Sequence, residues 1–150
     1  MKKLIFFLLF SSCANGTSIE PATLGQFLES TDHVPHALVQ KVDMITSSGE
    51  ITFNPDGRTS PLSGNKIRLH VKLMPNGVIK NNLDHVPPEF YVEFWEMWHY
   101  QLGNIQGSSL GGEFIFLLRD PNLNKVYPRY FMRKTDEKPN IIELLKKLSD

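Results

Sequence analysis

The stretch "KIRLHVKLMPNG", residues 66–77, decides how the chain is read. Ile67, Leu69, Val71 and Leu73 alternate with Lys66, Arg68, His70 and Lys72. Successive side chains on a strand point to opposite faces, so this alternation specifies a strand with one face in a core and the other in water. Pro75-Asn76-Gly77 follows. Asn-Gly supplies the positive φ of a tight turn, so a hairpin into Val78, Ile79 and Lys80 is expected.

Upstream of this strand, residues 54–65, "NPDGRTSPLSGN", hold two prolines, two glycines and no large aliphatic side chain except Leu62. Such chemistry reads as a loop. Residues 50–53 suit a short strand and residues 47–49 a turn. Residues 37–46 alternate imperfectly and are expected to be a strand, preceded by a loop at 33–36 around Pro35. Residues 21–30 place Leu24, Phe27 and Leu28 at helical spacing behind Pro21, a favoured first-turn residue.

Downstream, "EFYVEFWEMWHYQLG" places Phe90, Phe94, Met97 and Trp98 at i, i+4, i+7 and i+8. That spacing predicts a helix over 89–102 with Trp95 and Trp98 in the core and Gly103 as its stop. Residues 107–112, "GSSLGG", read as a flexible connection. Residues 113–119, "EFIFLLR", are expected to form a buried strand, and residues 126–133 another, held to an edge by Pro128. The chain closes with a helix over 140–149 facing inward through Ile141, Leu144, Leu145 and Leu148.

The totals describe one modest domain. The chain has 150 residues, 41% of them apolar, with 16 basic and 16 acidic side chains. That is enough apolar matter for one core, and no basic excess points to nucleic acid. The N-terminus stands apart. Lys2 and Lys3 precede seven apolar residues, 4–10, and then Ser11, Ser12 and Cys13, the layout of a secretory signal too short to span a bilayer.

Cys13 is the sole cysteine. Ordinary cleavage after Ala14 or Gly16 would discard it. Cleavage before it, as in a bacterial lipobox, would leave it as the first residue, carrying palmitate-type acyl chains that bind the bilayer through their methylenes. Its position three residues beyond the apolar run favours lipidation. The expected organisation is a lipoprotein signal peptide at 1–12, a tether at 13–20 and a single periplasmic domain at 21–150. With no Asp after Cys13, the expected address is the outer membrane, facing the periplasm. Losing Lys2 and Lys3 from a balance of 16 to 16 leaves a net charge of −2.

No catalytic constellation emerges. His33, His36, His70, His85 and His99 have no Cys or carboxylate at metal-ligand spacing. Glu93 and Glu96 are one helical turn apart, which reads as a solvated face. Neither a phosphate-binding loop nor a nucleophile elbow occurs. The expectation is a protein that is not an enzyme, with no metal, no cofactor and no small-molecule substrate.

Four pieces in order resemble TssJ, the outer-membrane lipoprotein family of bacterial type VI secretion. They are the Cys13 lipobox, "FNPDGRTSP" at 53–61 followed by "IRLHVKL", "EFWEMW" at 93–98, and "FIFLLRDPNLNKVYPRYF" at 114–131. The resemblance implies a mainly β fold, a transthyretin-like β-sandwich with added helices. It also implies a partner, the periplasmic part of a TssM-like inner-membrane protein, and a contact loop. The matching positions are Asn54, Pro55, Asp56, Gly57, Arg58, Thr59, Ser60, Pro61 and Leu62. The bland alternative is that this loop only connects two strands. A second resemblance is to the α+β interaction modules at the C-termini of TonB and TolA, which requires residues 78–82 to pair back in a long hairpin. A secreted enzyme or enzyme inhibitor, the third alternative, requires a concave site with convergent polar groups.

Overall fold

A computed structural model describes residues 22–82, 86–127 and 129–150. Cys13, the signal and tether residues, Pro21, His85 and Pro128 lie outside the described residues. Among those described, the chain forms a mixed α+β fold with one unclosed eight-stranded sheet, every pairing antiparallel. The elements are α1 (Leu24–Glu29), β1 (His33–Ile45), β2 (Ile51–Thr52), β3 (Lys66–Asn81), β4 (Glu89–Glu93), α2 (Leu102–Ser109), β5 (Glu113–Phe116), β6 (Leu118–Arg119), β7 (Asn124–Lys125), β8 (Met132–Lys134) and α3 (Lys138–Ser149). The main strand order is β4-β3-β1-β5-β8.

β3 bears out the alternation: Ile67, Leu69 and Val71 are fully buried while Arg68 and His70 are half-buried on the other face. The expected hairpin does not form. β3 continues past Pro75-Asn76-Gly77 and pairs with β1 again, Pro35 opposite Val78 and Ala37 opposite Leu73. Residues 74–77 bulge out opposite a single β1 residue, with Asn76 at φ 54°. The Asn-Gly pair thus serves a bulge rather than a turn. Gly77 is required by space, because a Cβ there would sit 2.4 Å from the His36 carbonyl oxygen and 2.7 Å from that of Met74.

β1 explains its own imperfect pattern. A register shift between Val39 and Lys41 adds one residue, so Ala37 and Val39 before it and Val42 and Met44 after it all face the same core. Without the bulge, the second pair would turn to the opposite face. β1 also begins at His33, so the loop expected at 33–36 is strand.

The expected helix over 89–102 is corrected more fully. Residues 89–93 form strand β4 against β3, Glu93 opposite Arg68 and Glu89 opposite Lys72. Phe90 and Val92 point inward and Glu89, Tyr91 and Glu93 outward, so the segment carries both periodicities and sheet pairing selects period two. The helix comes later, as α2, and takes in part of the supposed flexible connection at 107–112; Gly111, at φ 74°, follows its end. The strand expected at 126–133 is replaced by two short ones, β7 and β8, on either side of a turn segment. The helices expected at both ends are present, α1 behind a Thr23–Gln26 capping box and α3 starting two residues earlier than expected.

The sheet curls so that the segments flanking its two outer strands, β4 and β8, meet. Phe94, just after β4, packs edge-on against Phe131, just before β8, with ring centroids 5.4 Å apart. One core lies inside the curl, built from Val39, Val42, Ile67, Leu69, Val92, Phe116 and their neighbours. A smaller core lies on the outer face, where Phe27 and Leu28 of α1 and Ile141 of α3 cover Val34, Ile115 and Leu117.

Candidate functional site

The loop at 54–65 is short of apolar side chains, so its order has to come from hydrogen bonds. It starts with an Asx turn: Asn54 Oδ1 accepts from the Asp56 amide at 3.1 Å, and the Asn54 carbonyl from the Gly57 amide at 2.9 Å. α2 then holds it. Helices begin with unsatisfied amides, and Gln101 provides no side-chain cap. The loop does so instead: Leu102 N–H donates to the Gly57 carbonyl at 2.8 Å and Gly103 N–H to the Pro55 carbonyl at 2.9 Å. Gly103 permits this approach, since a Cβ there would lie 2.9 Å from Pro55 Cβ.

The middle of the loop is tied to the segment before α2. Arg58 bridges to Gln101. Thr59, fully buried, donates from Oγ1 to the Trp98 carbonyl at 2.5 Å and accepts from the Tyr100 amide at 3.1 Å, while its own amide donates to the Tyr100 carbonyl at 3.0 Å. Ser60 and Ser63 close a turn, the Ser63 amide donating to the Ser60 carbonyl at 3.0 Å. Asn65 Nδ2 donates to the Arg58 carbonyl, and Asn65 Oδ1 accepts from the Ser47 amide. Lys66 Nζ lies 3.4 Å from Glu96 Oε2.

Within this frame the nine loop positions divide. Thr59 faces inward as a brace, and Gly57 and Ser60 are half-buried. Asn54, Pro55, Asp56, Arg58 and Pro61 are exposed. Leu62, at the tip of the Ser60–Ser63 turn, is 97% exposed. Ile51 of β2 and Phe53 beside it are further exposed apolar side chains, with Lys41 Nζ 4.6 Å from the centre of the Phe53 ring. The sequence reading missed the other half of the arrangement. Trp98, Tyr100 and Gln101 fall within the helix expected over 89–102, where their backbone groups would be spent internally, and Gly103 is expected only as its stop. Trp98 is instead half-buried on a turn, with the Arg129 guanidinium 3.9 Å from its ring centre. Gly103 was the available signal, as a glycine that lets another backbone come close.

A second polar constellation sits on the outer face of the sheet. The Asp43 carboxylate, fully buried, accepts from Arg68 Nε at 3.0 Å, Arg68 Nη2 at 3.1 Å and His70 Nε2 at 2.7 Å, with Lys41 Nζ at 4.0 Å. The Tyr91 ring closes over it, 4.2 Å from the His70 ring and 4.9 Å from the Arg68 guanidinium carbon. Burial pushes the Asp43 carboxyl up, but the hydrogen bonds and charges of Arg68 and His70 outweigh it and hold the pKa below the ordinary value. Both Asp43 oxygens are taken up by Arg68 and His70, and among the described residues no buried side-chain nitrogen or oxygen lacks a hydrogen-bond partner, which is the signature of a structural ion-pair network. Among the described residues, no group of three His, Cys, Asp or Glu is placed to hold a metal, and no helix is long and apolar enough to cross a membrane.

Comparison of the chain with protein-family models, with curated proteins and with solved structures finds no match.

Proposed function

We propose that this protein is a lipid-anchored docking module of the TssJ type. In this reading Cys13 is acylated and holds the domain at the outer membrane, facing the periplasm. The loop at 54–65 grips the periplasmic part of a TssM-like inner-membrane protein and so moors a secretion complex. The protein works by binding rather than by catalysis.

The observation that carries the reading is the bracing of that loop. A free loop loses conformational entropy when it docks, and that loss is subtracted from affinity. Here the amides of α2 and the buried Thr59 have already fixed the backbone, and the fixed loop holds Leu62 97% exposed at its tip. A connecting loop has no need to present a leucine to water. The curl of the sheet supports the finer architecture. Bulges in β1 and β3 bend the strands until β4 and the segment before β8 share one core, which is how a single sheet folds over toward a transthyretin-like sandwich. The TonB-like alternative lacks its hairpin, since residues 78–81 pair with β1.

Two measurements test the proposal. Labelled fatty acid is expected on the wild-type chain and not on Cys13→Ser; an unlabelled wild type would refute the anchor. Leu62→Asp, and separately Arg58→Ala with Leu62→Ala, should abolish co-purification of the periplasmic partner at unchanged melting temperature. Capture at wild-type level by both variants would remove the loop from the interface.

A further inference from the structure

α3 packs its Ile141, Leu144 and Leu145 stripe into the outer core. Alongside it, between the helix and residues 76–80 of β3, runs an open groove of about 610 Å³. Ile79, Ile142 and Leu145 are half-buried along it, and Val78 and Leu148 stand at its walls 45% and 44% exposed. Lys138 and Lys146 flank this apolar strip on the helix. At 1.5 Å of rise per residue they are about 12 Å apart along its axis.

The two lysines are uncommitted in a way their neighbours are not. Lys147 Nζ pairs with Glu143 at 2.7 Å, and Lys80 Nζ donates to the Thr31 carbonyl at 2.5 Å. Neither Lys138 nor Lys146 has an ion pair among the described residues. The one acid on the lining is Asp150. An apolar floor with a free cation at each end is complementary to a ligand that is apolar in the middle and acidic at both ends.

We infer that this groove is a second docking site, separate from the loop at 54–65, and that it receives an acidic amphipathic segment of a partner protein. Apolar side chains of the segment lie on Val78, Ile142 and Leu148, and carboxylates about two helical turns apart meet Lys138 and Lys146. A single acyl chain fits less well, since it has one head group for two cations and needs an enclosed slot rather than an open groove.

The test uses the purified full-length chain and a fluorescent amphipathic peptide with two glutamates eight positions apart and leucines between them. A control peptide carries lysines in place of the glutamates. The acidic peptide should bind saturably and the basic one should not. Lys138→Glu with Lys146→Glu, and separately Leu148→Asp, should weaken binding at least about tenfold at unchanged melting temperature, and added salt should weaken it further. Leu62→Asp should leave it intact, which separates this site from the proposed partner loop. Equal binding of the two peptides, or no effect of the groove variants, would overturn the inference. So would palmitate displacing the peptide, which would make the groove an acyl site, or concentration-dependent self-association abolished by the same substitutions, which would make the occupant a second copy.

Discussion

Asp43→Ala should cost about 3 kcal/mol of folding stability. Its carboxylate is fully buried and accepts three charge-assisted hydrogen bonds, two from Arg68 and one from His70. Removing one member of a buried ion pair typically costs about 3–5 kcal/mol, because the other is left unpaired. The side chains of Arg68 and His70 are 16% and 20% exposed, so water recovers part of that loss and places the figure at the lower end. For a domain of this size the loss corresponds to a fall of roughly 10 °C in melting temperature. Thermal unfolding by circular dichroism measures it, and the Asp43→Ala, Arg68→Ala cycle isolates the pair, since the double variant should lose less than the sum of the singles. The same group sets a pH dependence. The Asp43 pKa is depressed in the folded state, so its stabilisation is present above the unfolded carboxyl value of about 3.9 and is lost as pH falls through the lower folded value. Wild type should therefore lose more stability between pH 5 and pH 3 than Asp43→Asn does, both pH limits being approximate. A loss below about 1 kcal/mol in Asp43→Ala, or parallel acid profiles, would refute the assignment of this network as a stabilising one.

Two further substitutions probe the backbone devices. Thr59→Val keeps the shape but removes both hydrogen bonds of the hydroxyl and leaves the Trp98 carbonyl and the Tyr100 amide only their mutual contact at 3.2 Å, so it should cost about 1 kcal/mol in a denaturant melt and speed proteolysis within residues 54–65. Gly77→Ala places a methyl against the His36 and Met74 carbonyls and should cost about 1–3 kcal/mol; an unchanged midpoint would mean that the bulge has room to relax.

β3 was legible because its alternation and its environment agree. The helix at 138–149 was legible for the same reason, with Ile141, Leu144 and Leu145 on one inward face, although Leu148, expected inward with them, is exposed on the last turn. Elsewhere the sequence held two messages at once. Residues 89–98 satisfy a strand through Phe90, Val92 and Phe94 and a helix through Phe90, Phe94, Met97 and Trp98, and only pairing with β3 decides between them. Asn76-Gly77 encodes a positive φ, not the element that uses it. In β1 a single extra residue shifts the parity, so alternation read straight through gives the wrong face for one half. That residues 54–65 form a loop followed from their composition, but the exposure of Leu62 at its tip and the brace beneath it did not. That brace runs through backbone groups of residues 98–103, and backbone hydrogen bonds leave little trace in side-chain identity.

The meeting of Phe94 with Phe131 ties together segments at opposite margins of the sheet. In a flat sheet each margin frays by itself, and the centre shields one side from the other. Here a ring from each margin helps seal the same interior, so loosening either one wets the other. The two margins should therefore behave as one cooperative unit, a door whose two leaves open together.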